Sequence, residues 1–359
     1  MKKLLYIGHS YHNKTKSTQF LQELFASKYE VTKFSFDPYN DTFDKFKELE
    51  EKTFDVVVLF QIMPSLNKLK EIIKFDNIAF FPMYDGVSHK NSPIWHEYKD
   101  CNIINFSKTL HEKCKKKGLS SYYIQYFPEP KKIENMGDEK SVFFWQRINK
   151  ITPYTVDKVI GIENINKFYF HQAIDPQHEI TPTPKEWDEK VEISTWFDTK
   201  EEMETQLQKS AIYFAPRQLE GIGMSFLDAM AVGRCVIAPD LPTMNEYIVN
   251  GKNGYLYNLK KPKKLKLNQV RKIQENTIDF IKNGYENWNK EKYKILNWLE
   301  TPVEENVNIK KMETNLYICE HVKKKINLSF SLFVKKTTEK YKLYYLFGFL
   351  PIYKKRRSH

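Results

Sequence analysis

The sequence predicts an α/β protein of two domains, each built on a mostly parallel β-sheet. The chain has 359 residues, more than one ordinary core accommodates and enough for two domains and a tail. Short apolar runs alternate with polar, helix-like stretches such as residues 18–27 and 108–117, which is typical of βαβ units. Hydrophobic residues make up 41% of the chain and aromatic residues 15%, which is enough to fill two cores.

The predicted strands fall into two series separated by a polar stretch. The first series, at residues 4–7, 29–34, 55–60, 78–81, 102–106 and 122–127, predicts an N-terminal domain over residues 1–130. Two prolines and a glycine within 128–140 indicate an interdomain linker at 131–140. The second series, at 141–145, 167–171, 191–195, 211–215, 235–239 and 255–257, predicts a second domain over 141–300. Helical periodicity begins near residue 268, and residues 301–359 are expected to form C-terminal helices and a tail.

Composition limits the class of protein. The net charge of +12 indicates an anionic partner, which could be nucleic acid, a phosphate-bearing substrate or an anionic membrane. The absence of an apolar run of about 20 residues argues against a membrane span. The four cysteines lie far apart without a C-x-x-C pair, so neither a disulfide framework nor a zinc site is expected. The short apolar stretch after Met1 is interpreted as a first strand, and a cytoplasmic protein is expected.

The stretch 215–233 carries the clearest chemical signal, because a strand end, a glycine-containing loop and a helix follow one another. Glycines let the backbone approach a ligand, and the free amides that open a helix can hold a phosphate. Glu220 precedes this anion site and Asp228 lies about one turn into the helix, so one carboxylate could bind sugar hydroxyls and the other a ribose diol. The candidate donor-binding residues here are Gly221, Ile222, Gly223, Met224, Ser225, Phe226 and Asp228.

The segment from Glu220 to Asp228 resembles the E-x7-E motif of retaining GT-B glycosyltransferases, in the glycosyl transferases group 1 family that includes bacterial surface-polysaccharide enzymes. The resemblance is strongest over residues 194–257. It implies a GT-B fold, with two Rossmann-like domains facing across a cleft. By position Glu220 would contact the donor sugar and Asp228 the ribose, although aspartate shortens the reach by one methylene.

The resemblance extends to a cationic pair and two aromatic residues. Arg147 and Lys150 match the place where the family neutralises the departing diphosphate, and a solvated lysine is the alternative for Lys150. Trp196 and Phe197 follow the strand where the nucleotide base packs in the family, and core packing is their alternative role. Arg217 is expected to be an ordinary exposed arginine.

Loops of the first domain supply further candidates. Gly8, His9 and Ser10 follow the first strand and are expected to point into the cleft. Asp85 and His89 lie where related enzymes place a polar residue against the donor sugar, and structural hydrogen bonding is the alternative for His89. In the second domain, Gly233 predicts a helix C-cap, and the pattern Thr243-x-x-Glu246 predicts a capping box.

The chain contains no Asp-x-Asp triplet, so a metal-independent enzyme without a cofactor is expected, with the nucleotide sugar as co-substrate. Residues 340–357 combine aromatic and basic side chains, which predicts peripheral attachment to an anionic membrane; a packed tail is the alternative. Lysines 113, 115, 116 and 117 would add to that surface or complement the helix dipole.

These observations predict a retaining transferase that moves a hexose-type sugar from a nucleotide-sugar donor to a glycan or lipid-linked acceptor. The implied setting is bacterial surface polysaccharide or lipooligosaccharide synthesis. Three alternatives stay open: a nucleotide-sugar epimerase with acid and base residues in the cleft, a basic nucleic-acid-binding protein, and a catalytically silent subunit. No recognition motif for nucleic acid is present, so a nucleic-acid partner is not expected.

Overall fold

The computed structural model describes residues 1–15, 17–89, 95–303, 333–337, 341–346 and 350–356. Contacts divide the chain into two compact units, Met1–Val303 and Glu304–His359. The first unit contains both predicted parallel sheets, and the second contains a small antiparallel sheet.

The first sheet has six parallel strands in the order β2-β1-β3-β4-β5-β6. Its strands are β1 (Lys2–His9), β2 (Tyr29–Phe36), β3 (Thr53–Phe60), β4 (Lys74–Phe81), β5 (Asn102–Asn105) and β6 (Ser121–Tyr123). The α-helices in this region are α1 (His12–Thr15), α2 (Gln19–Ala26), α3 (Leu66–Ile72), α4 (Tyr84–Val87) and α5 (Lys108–Lys116).

The central strand β3 shows why this sequence forms a buried parallel sheet. Val57 and Leu59 pack into the cluster on one face, whereas Val56, Val58 and Phe60 pack into the cluster on the other. A strand covered on both faces needs a continuous apolar run instead of alternation. This run is the one that the sequence shows from residue 56 to residue 60.

The second sheet also has six parallel strands, in the order β12-β11-β10-β7-β8-β9. Its strands are β7 (Asp138–Trp145), β8 (Lys167–His171), β9 (Val191–Ser194), β10 (Ser210–Phe214), β11 (Cys235–Pro239) and β12 (Tyr255–Tyr257). Helices α6 (Pro153–Val159), α7 (Lys200–Gln208), α8 (Met224–Ala231), α9 (Met244–Tyr247), α10 (Val270–Glu291) and α11 (Lys294–Glu300) follow in chain order. All twelve strands predicted in the two series are therefore confirmed.

The last helix of this unit packs on the first sheet, not on the second. The Asn102 side-chain amide, on β5, donates hydrogen bonds to Trp298 O (3.0 Å) and Thr301 O (2.8 Å). Glu300 forms ion pairs with Lys2 at 3.2 Å and Lys28 at 2.7 Å. The sequence boundaries assigned residues 294–300 to the second domain, but in space α11 belongs with the first.

The predicted capping box at Thr243 is wrong. The Thr243 side chain makes no capping hydrogen bond, and Glu246 instead caps α5 of the first domain. Its carboxylate accepts hydrogen bonds from Ser107 Oγ (3.0 Å), Lys108 N (2.7 Å) and Thr109 N (2.9 Å). A carboxylate at a helix N-terminus satisfies free amides and complements the helix dipole, so Glu246 ties the two sheets together.

The second unit contains strands β13 (Phe333–Thr337), β14 (Tyr341–Leu346) and β15 (Leu350–Arg356), paired antiparallel in that order. The sequence assigned residues 340–357 to a tail, and the described residues of that segment form strands. Residues 340, 347–349 and 357 of the predicted membrane-associating segment lie outside the described residues. Among the described residues, no helix combines the length and the apolar character that crossing a membrane requires.

Candidate active site

Each parallel sheet has a point at which the strand order reverses. In the first sheet, β1 lies between β2 and β3, and in the second sheet β7 lies between β8 and β10. Crevices at the carboxyl ends of such strand pairs are the usual ligand sites of open α/β sheets. Arg147 follows β7 by two residues and Arg217 follows β10 by three, so both arginines are at the reversal point of the second sheet.

One carboxylate joins these two arginines. Nε and Nη2 of Arg147 each lie 2.5 Å from Oδ1 of Asp175, and Nη2 of Arg217 pairs with Oδ2 of the same side chain. The Arg147 and Asp175 side chains are only 13% and 17% exposed. The Arg147 guanidinium also lies 4.4 Å from the centre of the Trp145 ring. Arg217 is thus a partly buried member of the site, and the expectation of an ordinary exposed arginine is wrong.

The site continues across to the first domain. Nη1 of Arg217 lies 3.9 Å from Oδ2 of Asp85, which is in α4. At Gly221 an added Cβ would lie 2.8 Å from Met83 Cβ and 3.1 Å from Asp85 Oδ1. Only glycine permits this approach, so the loop before α8 and the loop after β4 are in direct contact.

The Glu220 carboxyl is partly exposed and interacts electrostatically with the charged side chains of this cluster. Loss of hydration raises the pKa of its carboxyl to about 7; Arg217 and Arg147 oppose the rise, whereas Asp85 and Asp175 add to it. Burial also raises the pKa of Asp85, against the opposing effects of Arg217 and the Gly86 amide. The Glu220 carboxyl can therefore exchange a proton near neutral pH, and it can donate or accept a hydrogen bond with a bound hydroxyl.

The helix after Glu220 begins in the geometry expected of an anion site. Gly223, with φ of 88°, precedes α8, and an added Cβ there would lie 1.9 Å from Phe226 Cε1. The Leu227 amide bonds to Gly223 O at 3.1 Å, and the preceding amides of the first turn have no intrahelical acceptor. Asp228 is partly exposed one residue further on. Gly233, with φ of 73°, follows the helix as the predicted C-cap.

An aromatic wall lies at the ends of β8 and β9. The Phe197 ring stacks on His171 with centroids 4.5 Å apart and an interplanar angle of 5°. Burial, assisted by Arg147, lowers the pKa of His171 to about 4, so the imidazole is neutral at physiological pH. Trp196 is 70% exposed, which excludes core packing for it. His171 is buried and Phe197 is partly exposed, so Phe197 supplies the accessible aromatic surface of this wall.

Two predicted residues stand apart from the cluster. Lys150, in the loop after β7, and His89, just after α4, are both exposed. Within the described part of the chain, neither forms an ion pair with the carboxylates of the site.

The loop after β1 forms a second polar group at the reversal point of the first sheet. Gly8 ends the buried part of β1, and His9 Nε2 lies 3.8 Å from Asp37 Oδ1. The Ser10 carbonyl accepts a hydrogen bond from the Asn13 amide at 3.1 Å. This loop therefore lies at the carboxyl end of the sheet, and its orientation toward the cleft stays a prediction.

His12 and Gln61 were not among the residues predicted for the site. Their side chains connect the segment after β1 with the end of β3. His12 Nε2 lies 2.6 Å from Gln61 Oε1, and its Nδ1 lies 2.8 Å from Ser17 Oγ. Gln61 has φ of 66°, a left-handed conformation that is uncommon for any residue other than glycine and is enriched at functional sites. A polar residue directly after a buried strand was the available signal for Gln61.

The sequence of the second domain is similar to that of known proteins. Residues 186–294 match the model of the family described as glycosyl transferases group 1. This part of the chain is therefore similar to that family. An uncharacterized glycosyltransferase of Methanocaldococcus jannaschii is 27% identical over 261 residues, which cover 62% of this chain and 66% of that protein. The match thus spans just under two thirds of the relative's length.

Solved structures share the fold. Sucrose-phosphate synthase from Thermosynechococcus elongatus superposes with a TM-score of 0.55 at 12% identity, covering 89% of this chain and 100% of the other. HepE from Anabaena, in complex with UDP, superposes with a TM-score of 0.53 at 10% identity, covering 82% and 99%. At these identities the likeness concerns the fold alone, which is GT-B as the motif resemblance implied.

Proposed function

We propose that the protein is a retaining glycosyltransferase that transfers a hexose-type sugar from a nucleotide-sugar donor to a glycan or lipid-linked acceptor without a metal ion. The observation that supports this most strongly is the position of Glu220. This carboxyl lies between the arginine pair of the second sheet and the open N-terminus of α8, with Asp85 facing it from the first domain.

The donor would occupy the crevice of the second sheet. Arg147 and the amides of the first turn of α8 would bind the diphosphate, and Asp228 would bind the ribose. The Phe197 ring, supported by the buried His171 beneath it, would stack on the base, and Glu220 would hydrogen-bond a hydroxyl of the sugar. Each of these roles uses a charge or a surface that the described geometry provides.

The proposed chemistry depends on stabilising the leaving group. As the bond between the anomeric carbon and the diphosphate oxygen breaks, negative charge develops on the nucleoside diphosphate, and a fixed guanidinium and helix amides stabilise it. The acceptor oxygen then bonds to the same face of the anomeric carbon, and its proton passes to the departing diphosphate. No side chain is assigned as a nucleophile.

A nucleotide-sugar epimerase is a second candidate, because two carboxyls with raised pKa, Glu220 and Asp85, lie close enough for Asp85 to raise the pKa of Glu220. Paired groups of this kind suit acid-base chemistry. An epimerase would convert its nucleotide sugar without an acceptor, whereas a transferase requires one.

The biological setting that we propose is synthesis of bacterial surface polysaccharide or lipooligosaccharide at the inner face of the cytoplasmic membrane. The motif resemblance supports a role in surface-polysaccharide synthesis, and one solved structure of similar fold is that of a lipopolysaccharide outer core galactosyltransferase. The basic and aromatic sequence of residues 340–357 supports membrane attachment. Binding to vesicles with and without anionic lipid, compared for the full chain and a chain ending at Val303, tests that part.

The reaction is tested with a panel of nucleotide sugars and glycan acceptors in the presence of a chelator, with products followed by NMR. A new glycosidic bond with the anomeric configuration of the donor supports the proposal. Inversion of that configuration would refute the retaining course, and conversion of the nucleotide sugar without acceptor would favour the epimerase.

A further inference from the structure

We propose that Arg217 is the second cation of the diphosphate site and that Asp175 is the positioning residue that holds it beside Arg147. The inference rests on the proposed function and deepens it. The ligand concerned is the diphosphate group of a nucleoside diphosphate, free or as part of a nucleotide sugar.

The position of Arg217 supports this assignment. It follows β10, the direct neighbour of β7, so its guanidinium and that of Arg147 meet at the reversal point of the sheet. The Arg217 side chain is 30% exposed, partly buried yet open to a ligand. Lys150, the lysine that the sequence favoured, is exposed in the loop beyond the strand. Two guanidinium groups with planar donor sets suit two phosphoryl groups better than one arginine and a solvated lysine do.

Asp175 supplies the constraint that two adjacent arginines need. Like charges repel, and each arginine side chain has many rotamers in solution. Oδ1 of Asp175 fixes Arg147 through Nε and Nη2, and Oδ2 fixes Arg217 through Nη2. The Asp175 amide also bonds to Arg147 O at 3.1 Å, so the carboxylate is held by the backbone of the residue that it orients.

The contacts leave donors free for an anion. A guanidinium has five N–H groups, and Asp175 engages Nε and Nη2 of Arg147 and Nη2 of Arg217. Nη1 of Arg147 and Nε of Arg217 are not used by these pairs. Burial lowers the pKa of Arg217, but Glu220, Asp175 and Asp85 outweigh this effect and raise it, so the residue keeps its charge.

The charge balance also favours an anion at this place. Asp175 neutralises one of the two arginines, whereas the Glu220 carboxyl, with its pKa raised to about 7, can lose its charge by taking up a proton. A diphosphate close to Glu220 would raise the pKa of this carboxyl further. Binding near neutral pH should therefore be accompanied by proton uptake, which calorimetry in buffers of different ionisation enthalpy measures.

The test is isothermal titration calorimetry of the full chain with UDP, GDP, CDP and dTDP, with the matching nucleosides as phosphate-free probes. Loss of a charge-assisted hydrogen bond weakens binding by about 10- to 100-fold. We expect Arg217→Ala to weaken binding of the preferred nucleoside diphosphate by that factor and to leave binding of the matching nucleoside unchanged. Lys150→Ala, the matched control, should stay within about 2-fold of wild type.

The outcomes separate the two proposals. Equal binding by wild type and Arg217→Ala, with Arg147→Ala weakened, would overturn this inference and leave the proposed function intact. Failure of the wild type to bind any of the four would overturn both. If the alanine variant does not fold, Arg217→Lys and Arg217→Gln replace it, with folding checked by thermal unfolding. Arg217→Gln should then bind the nucleoside diphosphate more weakly than Arg217→Lys does.

Asp175 is tested by the direction of its effect. Removing a carboxylate from an anion site should tighten binding if Asp175 only contributes charge. If Asp175 positions the arginines, the opposite is expected. Asp175→Asn should then weaken binding of the nucleoside diphosphate and leave binding of the nucleoside unchanged. Asp175→Glu should recover part of the lost affinity. Tighter binding of the nucleoside diphosphate by Asp175→Asn would contradict the positioning role. An equal loss of affinity for the nucleoside diphosphate and the nucleoside would contradict it as well.

Discussion

Replacing Glu220 by glutamine should stabilise the protein at pH 8 and have little effect at pH 4.5. The site raises the pKa of this carboxyl from its ordinary 4.5 to about 7, which costs the ionised form roughly 3 kcal/mol in the folded state. A raised folded pKa favours the fold fully below the unfolded pKa, and this contribution is lost as the pH rises to the folded pKa. The penalty therefore grows between pH 4.5 and about 7, and Glu220→Gln removes it because the amide carries no charge.

Urea unfolding of wild type and variant at pH 5, 6, 7 and 8 measures this prediction. The difference in unfolding free energy should grow toward about 3 kcal/mol in favour of Glu220→Gln between pH 5 and pH 8. Glu48→Gln, at an exposed carboxyl away from the site, is the control and should not reproduce the gain in stability at pH 8. A difference for Glu220→Gln that is independent of pH, or a variant less stable at pH 8, would refute the electrostatic description of the site.

Three further changes test the packing around the site. Gly221→Ala should cost about 1 to 3 kcal/mol of stability and weaken donor binding, because its methyl group meets the first domain; Gly86→Ala, with nothing within 4 Å of the added Cβ, should cost nothing in the same urea titration. Glu246→Ala should lower the unfolding free energy by about 2 kcal/mol, because three hydrogen bonds at a helix N-terminus are lost; a change below about 0.5 kcal/mol would contradict the capping role. Phe197→Ala should weaken nucleotide binding in calorimetry about 10-fold, and more than Trp196→Ala does, because only Phe197 completes the stacked wall; the reverse order would place the base elsewhere.

The fold could be predicted from the sequence because its strands are buried on both faces. Such strands are continuous apolar runs, as in residues 56–60. Because these runs alternate with helical segments, only a few arrangements of parallel strands are compatible with the sequence. The second unit could not be predicted in this way, since the apolar and basic residues after 333 show no helical or strand period strong enough to decide between them.

The site was predictable only where its residues are neighbours in the chain. Glu220 and Gly221 lie in one loop, and the sequence places them correctly beside α8. Asp175 pairs with Arg147 from 28 residues away, and no periodicity in its loop indicates that contact. Lys150 was chosen over Arg217 because its position in the sequence resembles that of the family's lysine. Strand order, which sequence does not show, is what brings Arg217 and Arg147 together.

The central claim is that the crevice of the second sheet binds a nucleotide-sugar donor. Ligand-detected NMR with UDP-, GDP-, CDP- and dTDP-sugars, in the presence of a chelator, tests it on wild type and Arg147→Ala. We expect one nucleotide to give selective signals with wild type, and we expect Arg147→Ala to weaken its binding by at least about 10-fold. Binding of none of the four, or equal signals from both proteins, would contradict it.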